Sequence, residues 1–249
     1  MTISKILKKL TALSLVSTAT LLSSTATAAP LKIGVVPGIF ADSVAVAAQE
    51  AKKQGVDVQV IEFTDWATPN VALDAGDIDL NYYQNSNYLA NAVRDKGFKL
   101  VSVQPGILSY LGLYSLKHAT LADLPDGAKV AIASDAVNVG RGLRLLQHAG
   151  LITLRPETGL LGTPDDIVSN PKNLKFVEVE GPQLARATQD VDLAQGFPYF
   201  ILASNAFDAT KAWVPYTFSL SATPLGGGAT ALEPRSKSPD PGRSEEGPG

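Results

Sequence analysis

The ten residues VALDAGDIDL at 71–80 return in altered form as LARATQDVDL at 184–193, coinciding at Ala72/Ala185, Asp77/Asp190, Asp79/Asp192 and Leu80/Leu193. Each copy ends a short helical pattern and opens a strand-like run, IDLNYY at 78–83 and VDLAQGF at 191–197. Upstream of the first copy, KIGVV at 32–36 reads as a buried strand and 41–53 as an Ala-rich helix stopped by Gly55. VDVQVIEF at 56–63 then reads as an alternating strand and 71–75 as a short helix. Upstream of the second copy the same grammar gives a strand at 129–133 (KVAIA), a helix at 138–148, a strand at 174–180 (LKFVEVE) and a helix at 183–188. Strand, helix, strand, helix, strand, written twice, predicts two α/β lobes on largely parallel sheets. GILSYLGLYSL at 106–116 is apolar, rich in β propensity, and suits a strand crossing from one lobe to the other. The expected units are therefore lobe 1 at 29–109, lobe 2 at 110–205, and the start of a return to lobe 1 at 206–213. Ligands of such sheets collect at the carboxyl ends of the strands, which places the binding cleft between the lobes.

Composition narrows the chemistry. The 249 residues carry 21 basic and 24 acidic side chains, two histidines and no cysteine. Thiol nucleophiles, disulfides, soft-ligand zinc or iron–sulfur sites and thioether lipidation all lack a residue to work with. The formal charge of −3, with no large basic cluster, argues against nucleic acid as a partner. Residues 1–28 read as a secretory signal: Lys5, Lys8 and Lys9 precede the apolar stretch 10–22, and Ala26-Thr27-Ala28 offers the cleavage site. Losing those lysines takes the formal charge to −6, so an acidic, exported mature chain is expected.

At the other end, 17 of the 36 residues from 214 to 249 are Pro, Gly or Ser. That composition predicts a disordered tail where a closing layer of the fold is needed, and suggests a change of reading frame near residue 212.

Catalytic signatures are missing: there is no G-x-S-x-G, P-loop, H-E-x-x-H, C-x-x-C, or G-x-G-x-x-G after the first strand. Asp77, Asp79, Asp190 and Asp192 flank strand starts, where Asp caps or turns the chain. His118 and His148 read as surface residues, and neither metal nor cofactor is expected. The informative residues are aromatic and amide side chains at strand ends: Trp66, then Tyr83, Gln84, Asn85 and Tyr88, then Phe197, Pro198, Tyr199 and Phe200. Flat apolar walls with a few amide groups suit a small organic ligand. In SDAVNVGRGL at 134–143 a strand gives way to a helix capped by Asp or Asn, and Arg141 is expected in the first turn. A cation is misplaced there unless an anion, most naturally a carboxylate, is held by the helix N–H groups and the guanidinium together.

KIGVVPG, FTDWATPNVALDAGDIDLNYYQ, DGAKVAIASDAVNVGRGLRLLQHAGLI and NPKNLKFVEVEGPQLARATQDVDLA together resemble the MetQ/NlpA family of substrate-binding proteins, which serve ATP-binding-cassette importers of methionine and related compounds. The resemblance implies a periplasmic-binding-protein type II fold, two α/β lobes with a ligand cleft between them. It also implies binding without catalysis and delivery of the ligand to an inner-membrane permease and its ATPase; the family is often lipid-anchored, and with no cysteine to modify this exported chain is expected as a freely diffusing monomer in the periplasm. By matching positions, Arg141 resembles the arginine that grips the ligand carboxylate, with Asn138 beside it, and Trp66, Tyr83 and Tyr88 resemble the aromatic enclosure. Asn85 stands where the family usually has His, and Phe197 where it usually has an Asn contacting the ligand. A small carboxylate or organosulfur ligand that keeps the Arg141 contact and differs from methionine at the ammonium end is therefore expected. A non-transport sensor or surface protein on the same two lobes, or a chain without function because the family C-terminus is lost, is the alternative reading.

Overall fold

Two five-stranded sheets, each flanked by helices, carry the chain in a computed structural model that describes residues 29–208, 213–218 and 226–232. The segment 1–28, read as a secretory signal, lies outside the described residues, as do 209–212, 219–225 and 233–249. In lobe 1, strand β1 (Leu31–Val35) leads to helix α1 (Ile39–Lys53), β2 (Val58–Glu62), α2 (Thr68–Ala75), β3 (Leu80–Tyr82), α3 (Ser86–Lys96) and β4 (Leu100–Leu108). Lobe 2 holds β5 (Leu111–Tyr114), β6 (Lys129–Ala133), α4 (Ala136–His148), the short pair β7 (Thr153–Leu154) and β8 (Ile167–Ser169), β9 (Lys175–Val179), α5 (Leu184–Ala187), β10 (Leu193–Gly196) and α6 (Pro198–Ser204). Strands β11 (Trp213–Phe218) and β12 (Gly226–Leu232) follow.

The strand orders are β2-β1-β3-β12-β4 and β9-β6-β10-β5-β11. In each sheet the first three strands are parallel, and the fourth runs antiparallel to both of its neighbours. The two lobes thus repeat one topology, and in each the antiparallel strand arrives from the other lobe. The repeated sequence marks this symmetry at the atomic level. Asp79 Oδ2 accepts from Lys32 N at 2.8 Å, and Asp79 N donates to Lys32 O at 2.9 Å. Asp192 Oδ2 accepts from Lys129 N at 2.8 Å, and Asp192 N donates to Lys129 O at 2.9 Å. Both aspartates tie the start of a third strand to the start of the first, the turning role expected of them.

The crossing segment 106–116 is not one strand. β4 ends at Leu108, β5 starts at Leu111, and the chain passes between lobes at Ser109 and Tyr110. The composition of 214–249 predicted a tail, whereas residues 226–232 are a strand inserted between β3 and β4. Thr230 on that strand is buried, and its hydroxyl accepts from Gln84 Nε2 at 3.4 Å. Glycine-rich sequence has little strand preference of its own; here both neighbouring strands supply the pairing. β12 pairs with β4, which leads into the passage at Ser109 and Tyr110, and β11 pairs with β5, which leads out of it.

Lobe 2 has the tighter centre: Val130, Ala131, Ile132, Ala133, Leu143, Leu145, Leu146 and Leu193 are fully enclosed. Lobe 1 has its own cluster of Leu73, Ile78, Leu89 and Leu100 behind the sheet. Val35, Val36, Phe40, Trp66 and Tyr83 of lobe 1 instead belong to one apolar cluster with the core of lobe 2. The lobes are therefore in contact along the cleft, joined through its aromatic side chains.

Candidate ligand-binding site

Asp135, not Asn138, caps α4: its Oδ1 accepts from Asn138 N at 3.0 Å. Arg141 consequently falls in the second turn of the helix, not the first as the sequence suggested, and reaches the cleft by the length of its side chain. It is only 6% exposed. Its Nη1 donates to Asn138 Oδ1 at 2.7 Å, while its Nε is buried without a hydrogen-bond partner. Burial draws the guanidinium below its ordinary pKa, opposed by the nearby Asp135 carboxylate. Burial pushes Asp135 itself up, against the hydrogen bonds from Asn138. Gln195 holds the same place from behind, donating from Nε2 to Asn138 O at 3.1 Å and accepting from Ala133 N at 3.1 Å. The glycines flanking Arg141 are required by close approach: a Cβ on Gly140 would sit 2.1 Å from Leu160 O, and one on Gly142 2.4 Å from Gln195 Oε1.

Across the cleft stands Trp66, after β2, only 7% exposed. Its backbone carbonyl accepts from the hydroxyls of Tyr83 at 2.7 Å and Tyr88 at 3.1 Å. Burial raises both phenols far above their usual range, so they remain protonated donors. The indole packs edge-on to Phe197, centroids 5.7 Å apart, and tilted on Phe200 at 5.7 Å, which bridges the lobes. Gly181 makes this possible, because a Cβ there would lie 2.0 Å from the indole ring. Phe197 also offers its face to the Arg141 guanidinium, 5.5 Å from the ring centroid.

Asn85 opens α3, its Oδ1 accepting from Tyr88 N at 3.0 Å. Gln84 beside it is locked in a buried amide network: its Oε1 accepts from Asn70 Nδ2 at 2.9 Å, and its Nε2 donates to Asn70 Oδ1 at 2.7 Å and to Asn81 Oδ1 at 3.2 Å.

All seven residues singled out in the sequence, Trp66, Tyr83, Asn85, Tyr88, Asn138, Arg141 and Phe197, line one cavity between the lobes. Sequence reasoning missed Val36, Phe40 and Ser109, which complete its walls. Phe40 follows the carboxyl end of β1, where the strand-end rule points, and Ser109 lies at the passage between lobes. The cavity is small, with about 40 Å³ open to the centres of water molecules. One water needs roughly 10–15 Å³ on that measure, so the cleft as it stands has room for about three waters. His118, read as a surface residue, instead sits half-buried with its Nε2 3.1 Å from Asp192 Oδ1, outside the lining of this cavity. His148 is exposed at the end of α4.

Two lobes of matching topology, with a cation and an aromatic enclosure in the cleft between them, give the chain the two-lobed fold seen in periplasmic binding proteins. The chain belongs to the NlpA lipoprotein family, whose pattern it matches over residues 31–215. It is 46% identical over 165 residues to the D-methionine-binding lipoprotein MetQ of Salmonella typhimurium, a match that covers 66% of this chain and 61% of that protein. It therefore spans about three fifths of the length of this curated relative. Among solved structures, it superposes with a TM-score of 0.76 at 39% identity on a nutrient binding protein from Burkholderia cenocepacia bound to methionine, covering 81% of this chain and 84% of that one. A periplasmic substrate-binding protein of an ABC transporter from Coxiella burnetii aligns with a TM-score of 0.74 at 36% identity, covering 82% and 85%.

Proposed function

We propose that this chain is the periplasmic substrate-binding component of an ATP-binding-cassette importer, and that it carries methionine or a closely related small organosulfur or amino-acid carboxylate. The observation that carries the reading is Arg141: a buried guanidinium in the cleft whose Nε has no partner among the described residues. An unmatched buried cation is costly, and a ligand carboxylate relieves that cost with a bidentate, charge-assisted pair. Trp66, Tyr83, Tyr88 and Phe197 then enclose the apolar end of the ligand. The names of the methionine-binding and ABC-transporter relatives point the same way. On this reading the protein does no chemistry on its ligand. It works as a monomer and hands the ligand to a permease and ATPase in the inner membrane.

A thermal-shift screen with methionine, other amino acids, keto and hydroxy acids, and sulfonates tests the reading on the wild type and on Arg141→Ala. Stabilisation by one or more small carboxylates in the wild type, lost in the variant, is the expected result. Absence of any stabilising acid, or identical responses in the two proteins, would overturn it.

A further inference from the structure

A second groove runs between the lobes beside the cavity. Lobe 1 gives it Pro37 and Thr64, just past the carboxyl ends of β1 and β2, and lobe 2 gives it Gln183 and Arg186 at α5 with Phe200 and Ser204 on α6. It therefore opens at the strand ends where ligands of such sheets collect. Phe200 forms the boundary with the cavity: its ring meets that of Trp66 with centroids 5.7 Å apart, and Trp66 lines the cavity. About 260 Å³ of the groove is open to the centres of water molecules, against about 40 Å³ in the cavity. Thr64, Gln183 and Arg186 are exposed, whereas Trp66 and Arg141 are buried. The groove is thus a solvent-facing space and the cavity an enclosed one, with the Trp66–Phe200 contact between them.

Arg186 is the one charged residue in the described lining of this groove, and its guanidinium makes no hydrogen bond or ion pair to a described residue. The Thr64 hydroxyl and the Gln183 carboxamide, one from each lobe, are likewise unengaged among the described residues. The acids nearest to them in sequence lie outside the lining and are spent elsewhere: Asp65 Oδ1 accepts from Ala67 N at 2.8 Å and Thr68 N at 2.7 Å, and Glu180 Oε1 from Ser134 Oγ at 3.1 Å. A free cation with two further open donors and no acid is a surface for an anion, on a chain whose formal charge is −3. We propose that this groove is the encounter site for the carboxylate ligand: Arg186, with Thr64 and Gln183, holds the anion loosely on the outer side of the Trp66–Phe200 contact before the lobes part and it passes to Arg141. The proposal rests on the reading above that Arg141 receives a small carboxylate in the cleft. An exposed guanidinium in water holds such a group only briefly. Arg186 therefore speeds association and leaves the final complex, which it does not touch, as it was.

Stopped-flow tryptophan fluorescence with methionine as the probe, on the wild type, Arg186→Gln and Arg186→Lys, tests the proposal. At low ionic strength Arg186→Gln is expected to lower kon at least about threefold, with koff unchanged and Kd raised by the factor that kon loses. The gap narrows as salt approaches physiological ionic strength, where the screening length is about 8 Å. Arg186→Lys keeps the charge and is expected to associate at close to the wild-type rate. An unchanged kon in Arg186→Gln, a loss in Arg186→Lys as large as in Arg186→Gln, or an effect confined to koff overturns the encounter site and leaves the proposed function standing. Failure of methionine to bind the wild type overturns the encounter site together with methionine as the ligand.

Discussion

Asn138 Oδ1 accepts from Arg141 Nη1 at 2.7 Å, and that bond decides which edge of the guanidinium faces the cavity. With Nη1 engaged and Nε unpartnered, the Nε–Nη2 edge is the fork left for a carboxylate. The amide can serve in this way because its other end is fixed, Nδ2 donating to both oxygens of Asp135. The binding group is thus a relay of three residues at the start of α4, of which Asn138 and Arg141 line the cavity.

Asp135 should reveal this through the contrast between two substitutions. Asp135→Ala removes the cap of α4 and leaves the buried Asn138 Nδ2 unpaired, and is expected to cost about 2 kcal/mol in chemical denaturation. Asp135→Asn keeps a capping oxygen and should cost less than about 1 kcal/mol. Equal losses would remove the relay.

Gly181→Ala drives a Cβ into the Trp66 ring, to which it would stand at 2.0 Å. The indole has to move off Phe197 and Phe200, with an expected loss of about 1–3 kcal/mol in stability and weaker ligand binding. A variant with wild-type stability and affinity would mean that the Trp66 wall is not held as described.

Asp192 governs part of the acid limb of stability. The hydrogen bond from Lys129 N, then His118, holds its carboxyl below the usual range. A depressed folded pKa contributes stability that is complete above the ordinary aspartate value of about 4 and is lost as pH falls through the folded value. Asp192→Asn should therefore be less stable than wild type at neutral pH, and the gap should narrow steadily below about pH 4. A gap that stays constant with pH would contradict this assignment.

Strand β12 separates β3 from β4, so ending the chain at residue 218 splits the sheet of lobe 1 and orphans the pairing of both strands. Such a truncation is expected to melt at lower temperature and with less cooperativity than the 249-residue chain. An unchanged melting curve would show that the strand contributes nothing to the fold.

Much of this architecture could be read from periodicity. The strand at 129–133 matches its sequence expectation, and the Asp79 and Asp192 turns mark the two lobes as copies. Helix α3 escaped notice because Asn85, Asn87 and Asn91 favour caps and turns. The signals for it were the Asn85 cap and Gly97, which ends the helix at φ +71°. Helix α6 is seven residues long, and its aromatic content drew attention to ligand contact; Pro198 at its first position was the usable sign. Strand β12 has three consecutive glycines and is specified by the strands on either side. At the site, residue types were legible, but the direction of each hydrogen bond was not. Whether an amide offers its oxygen or its nitrogen can depend on partners distant in sequence, as Gln195 illustrates: its Nε2 donates to Asn138 O and its Oε1 accepts from Ala133 N.

The central claim is that Arg141 receives a ligand carboxylate in the cleft, and calorimetric titration of the wild-type chain with an acid that stabilises it and with the methyl ester of that acid tests it most directly. The ester preserves size, shape and the apolar end while removing the anion. The account expects heat and saturation with the acid and a loss of at least about hundredfold in affinity with the ester. Equal affinity for the two would contradict it.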